Sequence, residues 1–419
     1  MKGFTRKERS WVFYDWANSA YSIIITTAIF PLFYESIAPE RIYVATWGFA
    51  NSGASIIMAV LAPVLGTIAD YRGNKKRFFS FFFALGVAST FALALFEQGE
   101  WLPALMVYVA SAIGFAGANI FYDSFLTDVT EAKRMDWVSA NGFGWGYIGS
   151  VIPFVISLLL VIGSDALGFE RPTTAVRIAF LITALWWLGF SIPLLRNVTQ
   201  VYFVPPSATP IRDSFRRLAD TFRNIRQYRQ VFLFLVAYFF YIDGVDTIIK
   251  MATPIARSMG IDSNMLLVIL LAIQLVAFPF AILYGKLAER FSARKMLYVG
   301  ILVYVVVVFV AFLLPSFEDP GVRTALFWVL SMLVASSQGG IQALSRSFYG
   351  KIIPPEKSAE FFGFYNIFGR FAAIMGPLLV GGFTLVTGQE RFGILSVLGL
   401  FLLGGLVLKM VEEPAAASQ

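Results

Sequence analysis

Gly66 to Arg77 reads GTIADYRGNKKR, and the same pattern returns from Gly285 to Lys295 as GKLAERFSARK. Each copy has a glycine, then an acid four residues on (Asp70 or Glu289), then a basic cluster. A glycine at that point lets helices pack closely, and an acid at a helix end can meet another helix's N-terminal dipole or a loop arginine. A second pair of segments, NSAYSII at Asn18–Ile24 and DGVDTII at Asp243–Ile249, recurs about half a chain length apart. The chain is therefore read as two related halves, the repeat signal to establish before any other.

Around both copies lie apolar runs long enough to cross a bilayer. Twelve are expected, near 11–35, 43–69, 77–97, 101–125, 137–163, 174–195, 231–257, 264–288, 295–315, 323–349, 360–385 and 391–410. With 58% hydrophobic residues and only 14% charged ones, the 419-residue chain is too apolar for a soluble globule. The expected fold is an all-α polytopic membrane protein, twelve transmembrane helices in two six-helix pseudo-repeats. The division expected is 1–195, a linker at 196–230, and 231–419. Most of the 33 Lys and Arg fall on one side of the spans, so the net charge of +7 reports topology rather than nucleic-acid binding, and both termini are expected in the cytoplasm. Lys75, Lys76 and Arg77 are read as topology anchors in that pattern. In the linker, Ile211, Phe215, Leu218, Phe222 and Ile225 follow helical spacing with arginines opposite, a pattern that fits a plain linker helix or one lying on an anionic membrane surface.

The absence of Cys and His removes disulfides, thiolate chemistry and imidazole proton relays, and with them soft-metal sites. Proton handling must fall to carboxylates. No cofactor is expected, and no nucleophile–base pair or metal cluster suggests an enzyme. The glycines of NGFGWGYIG at Asn141–Gly149 follow no strand and precede no Walker lysine, so they are read as helix-packing residues.

Polar residues at helical spacing mark candidate cavity faces: Asp15, Asn18, Tyr21 and Ser22 in the first span; Asn119, Tyr122 and Asp123 in the fourth; Gln338, Gln342 and Arg346 in the tenth; Asn366 and Arg370 in the eleventh. The seventh holds Asp243, Asp246 and Lys250 on one face, with Asp246 and Lys250 at i,i+4 spacing. An ionised group at mid-membrane costs about 2.5–3.5 kcal/mol even on insertion scales, so such groups are normally paired, hydrated, protonated or functional. The plainer alternative is hydrogen bonding across helix contacts, about 0.6 kcal/mol each on average. Arg370, deep in its span, could clamp a carboxylate bidentately or neutralise Asp243.

The stretch GTIADYRGNKK resembles the loop 2–3 signature of the major facilitator superfamily, where a degenerate second copy is also expected. The resemblance implies a gate latch built on Gly66 and Asp70, with Arg72 and Asp123 or Asp128 as partners, and on Gly285, Glu289 and Arg346 in the second copy. WVFYDWANSAYSIIITTAIFP at Trp11–Pro31, YIDGVDT at Tyr241–Thr247, and GGIQALSRSFYGKIIP with FFGFYNIFGR within Gly339–Arg370 resemble the vacuolar amino-acid effluxer (autophagy-related effluxer) family and its bacterial relatives. The resemblance implies an alternating-access transporter of a small polar or zwitterionic solute, an amino acid foremost, in a bacterial inner membrane; the carboxylates within the spans, Asp243 first, are expected to couple it to protons, and a monomer is expected. The alternatives are an uncoupled facilitator, an exporter of amphipathic drugs or lipids, and a non-transporting receptor or scaffold.

Overall fold

The computed structural model describes residues 3–169, 172–205, 207, 210–223, 227–258, 260–261 and 263–413. Among them are twelve helices long and apolar enough to cross a membrane: spans 1 to 12 at Arg6–Ile37, Ala45–Ala69, Asn74–Leu93, Trp101–Ser124, Ala132–Ile162, Thr173–Asn197, Arg229–Ala256, Met265–Phe291, Ala293–Ser316, Pro320–Ile352, Pro355–Thr387 and Glu390–Lys409. The expected all-α, twelve-span class holds. The one β feature among the described residues is an isolated bridge between Tyr71 and Val204.

Several helices start earlier than the apolar pattern suggests, because their caps lie outside it. Span 1 begins at a capping box, in which Thr5 Oγ1 accepts from the Glu8 N–H and Glu8 Oε2 accepts from the Thr5 N–H. Span 10 begins at Pro320 behind Asp319, whose carboxylate accepts from the Gly321 and Val322 N–H groups. Spans 10 and 11 are each 33 residues long, about 50 Å at 1.5 Å per residue, so their ends extend past a hydrocarbon core of about 30 Å.

Contacts group the chain into two units. The first comprises 1–130, 145–219 and 354–364; the second comprises 131–144, 220–353 and 365–419. The start of span 5 thus counts with the second unit and the start of span 11 with the first. Lipid tails provide little hydrophobic drive between helices, so packing contacts must hold each unit together. In the first unit Tyr122 stacks on Trp11 and meets Tyr14 at a tilt, with ring centroids 4.5 Å away in each case, and Phe30 stacks on Tyr108 at 4.7 Å. In the second, Tyr238 stacks on Tyr365 at 4.2 Å and Phe234 on Phe348 at 4.9 Å.

Span 1 is not uniformly α-helical. Ser22–Ala28 is a π-helical stretch, and Thr27 Oγ1 donates to the Ser22 carbonyl within it. A linker helix, Pro210–Arg223, follows span 6, its residues up to Ala219 grouped with the first unit. Its apolar face is not uniformly buried, since Phe215 is exposed; Ile225 lies outside the described residues.

Candidate functional site

The Gly66–Arg77 stretch folds into a tight junction between spans 2 and 3. Span 2 stops at Ala69, and the chain reverses through Gly73, whose φ of 79° lies in the left-handed region that glycine adopts without strain. Gly66 has no room for a side chain, since a Cβ there would sit 2.4 Å from the Ala359 carbonyl oxygen. That approach places Asp70, fully buried, at the start of the span 11 helix: its two carboxylate oxygens accept from the Ala359 N–H (2.9 Å) and the Glu360 N–H (3.1 Å). This is the helix-terminus contact that its position suggested. Burial pushes the Asp70 carboxyl up to about 8, Lys75 opposes the rise, Glu360 adds to it, and the two backbone N–H bonds lower it.

The cations around Asp70 are not the expected ones. Arg72 is exposed and lies over the Phe203 ring, 5.3 Å from its centroid. Arg217 of the linker helix comes instead, 3.6 Å from Asp70 Oδ2 and 3.2 Å from Glu360 Oε2. Lys75 is not a topology anchor facing headgroups. It is fully buried, donating to Asp128 Oδ2 (2.6 Å) and Ser358 Oγ (2.7 Å). Of the two acids expected as partners, Asp128 joins this cluster; Asp123 lies within electrostatic range of Tyr14 in span 1.

The second copy departs further from its template. Gly285 again sits close to a helix start, against Ala140 and the Asp136 carbonyl, but Glu289 is exposed. Asp136 is the acid that is held in place, accepting from Ser347 Oγ at 2.6 Å and from Lys351 Nζ. Arg346 donates to Ser139 Oγ (3.0 Å) and the Ser139 carbonyl (3.1 Å), with its guanidinium over the Phe143 ring. Where the first copy has Gly73, the second has Ser292 at φ 122°, a conformation that costs a side-chain-bearing residue.

The candidate cavity faces divide by unit. In the first, Asn18 Nδ2 donates to Asn119 Oδ1 (2.7 Å), Tyr21 shares a hydrogen bond with Ser111 (2.8 Å), and Asp15 is buried. Tyr122 serves packing, through its ring stacks and its carbonyl, which accepts from Trp11 Nε1. Ser22, Thr26 and Thr27 of the π-helical stretch are exposed polar residues in an apolar span. π-Helical stretches occur frequently at functional sites, and apolar periodicity gives no warning of one.

In the second unit Asp243 is fully buried in span 7. Its Oδ1 accepts from the Gly376 N–H (2.9 Å) and from Thr247 Oγ1 (3.4 Å), whereas Oδ2 accepts no hydrogen bond from the described residues. Arg370 donates from Nε to Asn366 Oδ1 at 3.1 Å, and the donors on Asp243 among the described residues are Gly376 and Thr247 rather than Arg370. Asp246 is half-buried and within electrostatic range of Lys250, which is exposed. Gln338 and Gln342 are half-buried on span 10.

A family profile described as "Vacuole effluxer Atg22 like" matches residues 46–419. The chain belongs to that family. It is 52% identical to the uncharacterised MFS-type transporter YxiO of Bacillus subtilis (strain 168), over 99% of this chain and 96% of that one. Autophagy-related protein 22 of Coccidioides immitis (strain RS) is 24% identical, over 85% of this chain and 71% of that one. Among solved structures, the major facilitator proton:xylose symporter XylE bound to 6-bromo-6-deoxy-D-glucose superposes with a TM-score of 0.73 over 97% of this chain and 96% of that one, at 13% identity. This Atg22-like chain is thus a multi-pass membrane protein and a secondary transporter of the major facilitator superfamily, not an enzyme. The profile begins after span 1, so the Trp11–Pro31 resemblance lies outside the matched residues.

Proposed function

We propose that this transporter moves a small polar or zwitterionic solute, an amino acid foremost, by alternating access, and that Asp243 carries a coupled proton. The solute leaves a bacterial cytoplasm across the inner membrane, the protein works as a monomer, and both termini are cytoplasmic. The observation that carries the reading is the setting of Asp243, a fully buried carboxyl inside a membrane span, with two neutral donors on Oδ1 and none on Oδ2. An anion so placed is costly, and Oδ2 is an open position for a proton. Contact with water on one side of the membrane would let the proton leave. Substrate recognition falls to the polar faces of spans 1 and 4 and to Asn366 and Arg370 of span 11. The Asp70 cluster serves as a latch that favours one gate state. The family description as an effluxer supports the direction.

The test is uptake into proteoliposomes with and without an imposed pH gradient, using solutes chosen by a thermal-shift screen of amino acids, peptides, sugars and lysolipids, since a ligand of the folded state raises its melting temperature. Asp243→Asn is expected to abolish gradient-driven accumulation while leaving solute exchange. Full gradient-driven uptake by Asp243→Asn would remove the proton from Asp243 and pass the candidacy to Asp15 or Asp123.

A further inference from the structure

We propose that the linker between the two sequence halves is a working part of the gate, with Arg217 as the cation that holds the Asp70 latch. The inference rests on the chain being an alternating-access transporter and not on its substrate or on Asp243, so it can fail or stand independently of the proton reading.

Two acids start equivalent helices. Asp136 follows the one-turn helix Ala132–Arg134 at the head of span 5, and Glu360 follows the one-turn helix Pro355–Lys357 at the head of span 11. The residue that closes the helix before each turn differs in sign. Before Asp136's partner turn in the repeat, span 10 ends with Lys351, and this lysine neutralises Asp136. At the corresponding place after span 4 the chain has Asp128, an acid already paired with Lys75. Asp128 cannot neutralise Glu360. The need is sharper in the first unit, because Glu360 is fully buried beside an equally buried Asp70. Arg217 enters from the linker helix, reaching Glu360, Asp70 and the Thr67 carbonyl through Nη2 and lying over the Tyr71 ring.

The linker is also fastened to the same junction by its main chain. The Val204 N–H donates to the Asp70 carbonyl (3.0 Å), and the Val201 and Tyr202 N–H groups donate to Asp128 Oδ1 (2.7 and 2.9 Å). Gln200 accepts from the Gly73 N–H and donates to the Ala69 and Asp70 carbonyls, and Lys76 donates to the Val198 carbonyl. The segment from Val198 to Val204 thus follows the loop that carries the latch, and the linker helix returns Arg217 into it. On the helix, Ser214, Arg217 and Thr221 turn inward at i,i+3,i+7 spacing, while Arg212, Phe215, Arg216 and Arg223 stay exposed. A passive connection between halves would bury apolar residues here, not a serine, a threonine and an arginine aimed at two acids.

The chain has no cysteine, so single cysteines placed at either mouth of the transport path report its state by their rate of maleimide labelling in membrane vesicles. Arg217→Ala is expected to shift the ratio of the two labelling rates on the order of tenfold, within the usual range of coupling between distant groups. Arg217→Lys should recover part of the shift, and Arg217→Ala combined with Glu360→Gln should recover most of it, because the second change removes the acid that required the cation. Arg216→Ala, on the exposed side, should leave the ratio unchanged. The proposal is overturned if Arg217→Ala labels as the parent does, if Arg216→Ala shifts the ratio equally, or if adding Glu360→Gln to Arg217→Ala restores nothing. Should Arg217→Ala fail to fold, Arg217→Lys and Glu360→Gln alone decide: no change in ratio in either sinks it.

Discussion

Lys75→Met tests the reading of the first cluster most directly. Lys75 and Asp128 are both fully buried and 2.6 Å apart, so the pair lies in the regime where losing one partner costs about 3–5 kcal/mol by stranding the other's charge. The two single changes should not cost the same. Lys75→Met leaves the Asp128 carboxylate with the Val201 and Tyr202 N–H donors on Oδ1, so the loss belongs at the lower end, about 3 kcal/mol. Asp128→Asn leaves a buried ammonium with neutral oxygens only, Ser358 Oγ and the more distant Ser124 carbonyl, and belongs at the upper end, about 5 kcal/mol. The double variant carries no stranded charge, so its loss should fall short of the sum of the singles by about 2–3 kcal/mol. Thermal unfolding of the four proteins in one detergent measures this cycle. Additive losses would refute the buried-pair reasoning. If Lys75 were a topology anchor after all, Lys75→Met would lower the correctly inserted fraction while the folded protein melted unchanged.

Three further outcomes are expected. Asp70 holds its proton up to about 8 in the latched arrangement, against about 3.9 for a hydrated aspartate, so between those values the latched form binds more protons. Acidification within that window should therefore favour the latched labelling ratio, alkalinisation toward 8 should weaken it, and Asp70→Asn should flatten the profile; an unchanged profile in that variant would mean another group titrates. Arg370→Lys should weaken an amino acid more than its amide in thermal-shift titrations, since lysine loses the planar fork, and equal weakening of both would show that Arg370 does not read a carboxylate. Glu289→Gln, at an exposed position, should leave labelling and melting within error of the parent, whereas Asp136→Asn should lower the melting temperature by freeing Lys351; the reverse order would restore Glu289 to the second latch.

The fold is legible because the bilayer imposes lengths that a sequence must obey, and some helix starts differ because a cap lies outside the apolar run, as at Thr5 and Asp319. The polar faces were legible for a similar reason, since a 3.6-residue period puts Asn18 and Asp243 on faces that must avoid lipid. What periodicity cannot give is the partner on another element. Lys75 meets Ser358 and Arg217 meets Glu360 across long stretches of chain, and nothing in the local spacing near Lys75 distinguishes a lysine facing headgroups from one sealed in a cluster. The positive-inside rule counts both alike. Nor did the π-helical stretch at Ser22–Ala28 announce itself, because one extra residue per turn leaves an apolar run looking apolar.

The two copies of the repeat show which part of the motif carries the physics. The glycine is kept for the same purpose in both, at Gly66 against Ala359 and at Gly285 against Ala140. The acid four residues on is not, for Asp70 takes two helix N–H groups while Glu289 stays exposed. The turn explains the divergence. Gly73 reverses the chain without strain directly after Asp70, whereas Ser292 must hold φ 122° and uses its side chain to cap the next helix at Lys295. The second junction leaves its acid outside and transfers the burden of the buried charge to Asp136, with Lys351 and Ser347 already at hand on span 10. The first junction has no such lysine and recruits one cation from its own loop, Lys75, and another from the linker, Arg217. A buried Asp70 with a carboxyl near 8, one cation from its own loop and one from the linker is a cluster whose charge balance can be changed by one proton or one side chain, whereas Asp136 is balanced by a lysine on the neighbouring span. On the proposed latch reading, this asymmetry makes the first copy the one through which pH and the linker act on the gate.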